Sequence, residues 1–268
     1  MSSNRLMTVY RKSSAVLLAL YTLIVAYIVL GFFLGIAYRP FFTPLSTMVL
    51  FAFAIDHSLQ QMGWKKALLL LGATFIVSLA FESVGVATGL VYGPYHYTEK
   101  LGYQFLGLVP LLIPIAWFMM SYPSFIIAAR IVPKSQSTWR WRLSVAAIGA
   151  VIMTAWDLAM DPMMVAGEHW VWQEPGAYFG IPMQNFWGWW LTIFVALILF
   201  LTLAKVTPAR LGRTDPSFER QAVLSYAIAG LSTVIVNFQI GLGGPGIVGL
   251  FAMLPWAWMG WQDRAMPQ

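Results

Sequence analysis

TAWDLAMDPMM at 154–164, continuing as VAGEHWVWQEPGAYFGIPMQNFWGWW at 165–190, is the stretch on which the reading of this chain turns. It starts inside a strongly apolar segment, yet it carries Asp157 and Asp161 four residues apart, on one face of one helical turn. The loop that follows holds no Lys or Arg but is crowded with Trp170, Trp172, Tyr178, Trp187, Trp189 and Trp190. An acid inside hydrocarbon is costly to keep, which makes it a candidate for function by default. A companion stretch, ESVGVATGLVYGPYHY at 82–97, has the same character: one acid, then glycines and tyrosines.

The surrounding chain reads as a container for these two stretches. Of its 268 residues, 59% are hydrophobic and only 10% charged, and the mean hydropathy is +0.72. That takes it out of the soluble class and implies an integral membrane protein. The absence of cysteine excludes disulfides, thiolate nucleophiles, iron–sulfur clusters and Cys-based zinc sites. A net charge of +6 is compatible with nucleic-acid binding, but the cations are scattered in short loops beside apolar runs, the pattern of membrane orientation signals. No nucleic-acid partner is therefore expected. Arg5, Arg11 and Lys12 precede an apolar run too long for a signal-peptide core, which reads as a retained first span.

At about 20 residues per crossing, eight candidate helices emerge, at 14–36, 43–62, 66–88, 104–131, 142–163, 186–205, 220–240 and 245–262. The expectation is an all-α, polytopic membrane helix bundle forming one domain over residues 1–268. Pro110, Pro114 and Pro123 should kink or break the fourth helix, and tertiary contacts should satisfy the backbone groups they free. With a cytoplasmic N-terminus and eight crossings, only Arg39 and Lys100 of the 16 Lys and Arg fall outside. The positive-inside bias then puts both termini in the cytoplasm, and a bacterial cytoplasmic membrane is the expected location. The same topology gathers Glu82, Asp157, Asp161, Asn185 and Asn237 near the outer ends of their helices, with His96 and His169 in loops on that side.

Each motif has a plain and a sharp reading. Gly85, Gly89 and Gly93 recur at the spacing that lets helices approach closely. Glu82 has no cation within several helical turns, which favours a neutral carboxyl that serves either as a general acid or as a structural hydrogen-bonding group. Asp157 and Asp161, if both are buried, compete for ionisation and divide acid and base roles; alternatively Asp161, just before Pro162, terminates the helix. The Trp and Tyr residues either form an interfacial belt or line a cavity whose ring faces grip an apolar chain and stabilise a cation. His57, His96 and His169 form no metal-binding pair, and GLGGPG at 241–246 follows no strand and joins two helices, so neither a metal nor a nucleotide is expected. No P-loop, nucleophile elbow or acidic DDxxD motif is present.

With these residues in place, the sequence resembles the carotenoid 1′,2′-hydratase family (CruF type), which also includes the hydratases of bacterioruberin synthesis. The resemblance rests on the 82–97 block with LGYQFLGLVPLLIPIAWFMMSY at 101–122, and on TAWDLAMDPMM with HWVWQEPGAYFGIPMQNFWGWW at 169–190. It implies a cofactor-independent membrane enzyme, with carotenoid, water and membrane lipid as its partners. Such an enzyme adds water across the terminal 1,2 double bond of an acyclic carotenoid end group of the lycopene or γ-carotene type, leaving a tertiary alcohol.

Hydrating such an alkene requires a proton on the less substituted carbon, a tertiary cation, and its capture by water. A carboxyl in a dry site can supply the proton, rings can stabilise the cation, and a second carboxylate or an amide can hold the water. The expected assignment makes Asp157 or Glu82 the donor and gives the water to Asp161 and Asn185. Tyr95, Tyr97, Trp117, Trp156, Tyr178 and Trp187 are the expected substrate-facing rings. Two competing functions remain at this stage: a transporter or channel with an acidic path, and a cofactor-independent lipid isomerase or cyclase using the same acids.

Overall fold

The computed structural model describes residues 3–37, 39–208 and 215–262, and side chains from residue 12 onward. Among the described residues the chain forms eight helices: α1 (Ser3–Phe33), α2 (Phe42–Met62), α3 (Trp64–Thr88), α4 (Leu112–Ile131), α5 (Thr138–Ala166), α6 (Met183–Leu203), α7 (Pro216–Gln239) and α8 (Gly243–Trp261). Seven of them, α1 through α7, are long and apolar enough to cross a membrane. The 19-residue α8, with Pro255 inside it, is not among the seven. It packs on α5 and α7 and still runs the length of the bundle, because its last turn reaches Arg130 and Arg220.

Position in the bundle follows from how each helix is greased. Apolar all round, α4 has 83% of its spanning window buried and is the central post. By contrast, α1 has 22% buried and sits at the periphery. A single residue, Gly63, separates α2 from α3; its φ of +80° allows the reversal that a side chain would resist.

Helix alternation puts Lys65, Lys66, Arg130, Lys134, Arg140, Arg142, Lys205 and Arg220 at one end, here called the basic end, and Arg39 and Lys100 at the other. Arg210, Arg213 and Arg264, and the side chains of Arg5 and Arg11, lie outside the described residues.

The fourth helix is shorter than expected. Residues 104–111 are not helical: Gln104–Phe105 and Val109–Pro110 pair as a small antiparallel hairpin, with positive φ at Leu106 and Gly107 turning the chain. The run is apolar without a helical period, and Pro110 has no amide hydrogen to donate to a helix. Nor does Asp161 end α5, which continues through Pro162 to Ala166. Pro162 leaves the Leu158 carbonyl without its usual partner, and the Tyr178 hydroxyl donates to that oxygen at 2.8 Å. The neighbouring Ala159 carbonyl accepts from Asn237 Nδ2 at 2.8 Å.

Candidate active site

The two loops singled out by sequence meet at the end opposite the basic one. Strand β1 (Tyr95–Tyr97) pairs antiparallel with β4 (Trp170–Trp172), the hairpin of 104–110 supplying β2 and β3 between them. Side chains alternate across a strand, so the ring-x-ring sequences YHY and WVW send Tyr95, Tyr97, Trp170 and Trp172 to the inner face and leave His96 and Val171 exposed. This paired aromatic floor closes a cavity of about 650 Å³ lined by all four rings together with residues of α1 to α7.

Glu82, on α3, enters the cavity with 3% exposure. Its Oε2 accepts from Tyr97 at 2.8 Å and from Tyr95, and its Oε1 accepts from the Trp117 indole at 2.9 Å. An indole N–H can only donate, so Oε1 is committed as an acceptor and any carboxyl proton belongs on Oε2. There the hydroxyls can reverse direction and accept. Burial, and then the neighbouring Glu82, holds the Tyr95 and Tyr97 phenols well above their usual range, so both keep their protons and serve as hydrogen-bonding hydroxyls.

Asp157 and Asp161 are both buried, and one amide joins them. Asn185 Nδ2, from the first turn of α6, donates to Asp157 Oδ2 at 2.9 Å and to Asp161 Oδ2 at 2.6 Å. The Trp170 indole donates to Asp161 Oδ1 at 2.8 Å, whereas Asp157 Oδ1 has no partner among the described residues. Asp161 and Asn185 line the cavity; Asp157 lies behind them.

Three indoles form the wall. Trp189 stacks on Trp117 with centroids 4.1 Å apart and meets Trp156 edge-on at 6.2 Å, while the Trp156 nitrogen donates to Thr233 at 3.2 Å. The cavity therefore offers a carboxyl with two hydroxyls, a carboxyl with an amide, and indole faces; Arg39 also lines it, but among the described residues no lysine or arginine is bonded to any of these three acids.

The structure gathers Glu82, Asp161, Asn185, Tyr95, Tyr97, Trp117 and Trp156 around this one space. Trp187 is not among them: it is 71% exposed on the outer face of α6. Tyr178 also stands off the cavity, committed to the α5 backbone and packed against Phe186. Conversely, Trp170, Trp172 and Trp189, which the sequence offered only as rings of either a belt or a cavity, and Tyr92, which it did not single out, also line the cavity. Helical spacing held the clue for Trp189, which is four residues after Asn185 and shares its face, whereas Trp187 is two after and points away. Among the glycines, Gly89 has positive φ and ends α3, and Gly93, also at positive φ, turns the chain toward β1, so neither serves helix packing. A Cβ at Gly85 would stand 2.7 Å from the Tyr92 ring, so this glycine makes room for an aromatic residue. His169 borders the cavity and burial holds its imidazole below the ordinary value, while His57 lies at the basic end, so the three histidines do not converge.

Comparison with known proteins fits this geometry. The family model described as Carotenoid biosynthesis protein matches residues 38–255. A bisanhydrobacterioruberin hydratase from Haloarcula japonica is 30% identical over 165 residues, covering 62% of this chain and 55% of that protein. The chain thus spans little more than half the length of that relative. No solved structure matches. Since the matched region takes in all three buried acids, the indole wall and both paired loops, the chain belongs to the carotenoid biosynthesis protein family.

Proposed function

We propose that this protein is a carotenoid hydratase that adds water to the terminal double bond of an acyclic end group. The observation that carries the reading is the single cavity with two different polar groups on its wall, Glu82 with its tyrosines and Asp161 with Asn185, among stacked indoles. The name of the Haloarcula japonica relative, a hydratase, supports the reaction class.

Glu82 gives its Oε2 proton to the less substituted alkene carbon, and the π electrons form the new C–H bond. Positive charge is left on the tertiary carbon, where the faces of Trp117, Trp189 and Trp156 stabilise it. Water held by Asp161 and Asn185 attacks that carbon, and its surplus proton passes to Asp161. The proton lost at Glu82 equals the one gained at Asp161, and its return to Glu82 resets the site, so one water is consumed and no electrons change hands. Asp157 serves as a positioning residue, fixing Asn185 from behind. Of the two donors that sequence left open, the cavity favours Glu82 because Asp157 does not line it.

Membranes carrying the protein, supplied with lycopene or γ-carotene, test this by product mass. Gain of one water is expected, with loss of conversion in Glu82→Gln and Asp161→Asn. A product of unchanged mass makes the enzyme an isomerase or cyclase, and full activity in both variants removes acid catalysis by this site.

A further inference from the structure

The acids and indoles occupy only part of the cavity wall. Another part belongs to α1, which packs chiefly on α2 and α7 and closes the gap where those two helices barely touch each other. From α1 the cavity is lined by a stripe of Tyr21, Val25, Ile28 and Phe32, at steps of four, three and four residues, flanked by Tyr27, Val29 and Gly31, with Phe32 still 53% exposed at its end. At 1.5 Å per residue that stripe is about 16 Å long. Leu20, Leu23 and Leu30 do not line the cavity and are exposed on the outside of the bundle. No charged residue occurs between Lys12 and Arg39. Arg39 lines the cavity beyond the end of α1, so polar chemistry on one wall faces, on the other, a corridor along a helix stripe that carries no charge of its own. The corridor helix also lies outside the region that the family model matches, which begins at residue 38.

We propose that the α1 stripe is a second subsite, which binds the long unreacted isoprenoid chain of the substrate, and that Val25, Ile28 and Phe32 decide which chains the enzyme accepts. This rests on the hydratase reading for the identity of the end that reacts. A hydrocarbon with its terminal alkene at Glu82 has to leave the acid-lined end along apolar surface, and α1 with the facing Leu50 and Phe42 of α2 supplies it. A membrane acyl chain shares the chemistry of a polyene, so the test has to separate the two.

The experiment uses the full chain in lipid nanodiscs with two substrates carrying the same terminal alkene, a full-length acyclic carotenoid and a short isoprenoid hydrocarbon. Ile28→Trp narrows the corridor, and Leu23→Trp adds the same bulk on the lipid side. Ile28→Trp is expected to lower kcat/KM for the long substrate by about tenfold or more, leaving the short one within about twofold. Leu23→Trp should change neither. Equal losses for both substrates, or no loss for the long one, overturn the proposal. Should Ile28→Trp fail to fold, Val25→Ala and Ile28→Ala serve instead, with KM expected to rise for the long substrate alone and kcat to hold. Excess palmitate that competes fully with the carotenoid assigns the corridor to lipid and overturns the carotenoid assignment. If the unaltered protein converts neither substrate, the hydratase reading fails, and quenching of tryptophan fluorescence by the polyene decides the subsite by itself. Quenching lost in Ile28→Trp and kept in Leu23→Trp supports it; quenching kept in both overturns it.

Discussion

The two ends of this bundle bury polar groups in opposite ways. At the basic end, Arg130 pairs with Glu219, donates to the Gly260 carbonyl at 2.7 Å and so fastens α4 to both α7 and α8. Gln61 donates to the same glutamate at 3.1 Å, and His57 bridges Tyr122 and the Phe218 carbonyl at 2.5 and 2.8 Å. In this cluster the acid Glu219 is matched by a base, and its bonds tie one helix to another; Asp56, nearby on α2, is instead held by Ser13 and Gln60. At the aromatic end, Glu82, Asp157 and Asp161 meet, among the described residues, only neutral donors: two phenols, two indoles and one amide. Buried charge that serves stability comes with its counter-charge, because an uncompensated ion costs several kcal/mol. Under the proposed function, acids retained without one around a cavity are those expected to give up stability for reactivity.

The contrast breaks most sharply on activity. Glu82→Gln and Asp161→Asn are expected to cut carotenoid conversion by about 10²- to 10⁴-fold while leaving the yield of folded protein unchanged or improved. Glu219→Ala should lose conversion only in proportion to folded protein lost. Conversion normalised to monodisperse protein in detergent checks this, and equal specific losses at the two ends would erase the distinction.

Stability should then separate the ends with reversed emphasis. Glu219→Ala leaves Arg130 largely buried without its carboxylate and is expected to cost about 3 kcal/mol, read from chemical denaturation in detergent. Asp157→Asn keeps the Asn185 contact and removes one of two adjacent acids, so its cost should be near zero. A loss below about 1 kcal/mol for Glu219→Ala, the range of an exposed pair, would sink the compensated half of the comparison.

Much of this contrast was legible in the sequence, and what escaped has a physical reason. Apolar runs and flanking cations gave the helices, because hydrocarbon thickness fixes their length. The i, i+4 spacing of Asp157 and Asp161 put both on Asn185, since helical period is local geometry. The segment 104–111 misled because apolarity without period says only that a segment is greasy, not that it is helical. Trp187 misled because a tryptophan-rich turn names no face, and only counting from Asn185 separates it from Trp189. The β1–β4 pairing joins residues about 75 positions apart; two ring-x-ring triplets hinted at strands but carried no sign of being partners.

Packing at the aromatic end gives a smaller effect. A Cβ at Gly188 would stand 2.4 Å from the Tyr92 ring and 2.6 Å from the Val91 carbonyl. Gly188→Ala should therefore destabilise by about 1–3 kcal/mol and loosen the Tyr92–Thr192 bond of 2.8 Å. A neutral result in the same denaturation assay would mean that the Val91–Tyr92 turn is not close-packed against α6.

The smallest expected difference divides two tyrosines within the aromatic end itself. Tyr97 donates to an acid in the cavity, and Tyr178 donates to a backbone carbonyl orphaned by Pro162. Removing either hydroxyl deletes one buried hydrogen bond, worth about 1 kcal/mol, so stability alone does not tell them apart. Tyr97→Phe should lower conversion several-fold, because Oε2 of Glu82 loses one of its two hydroxyl partners; Tyr178→Phe should leave conversion intact. Alkaline pH supplies the second readout. Burial, and then Asp157 and Asp161, push the half-buried Tyr178 phenol up from 10.0 to about 12. A folded-state value above the unfolded one means that the contribution is fully present below pH 10.0 and is lost as pH rises through about 12. Tyr178→Phe should lack that part of the alkaline loss. If Tyr178→Phe instead abolishes conversion while its stability curve stays unchanged, the hydroxyl reaches substrate after all, and the boundary between the reactive and the structural parts of this end has to be redrawn to include it.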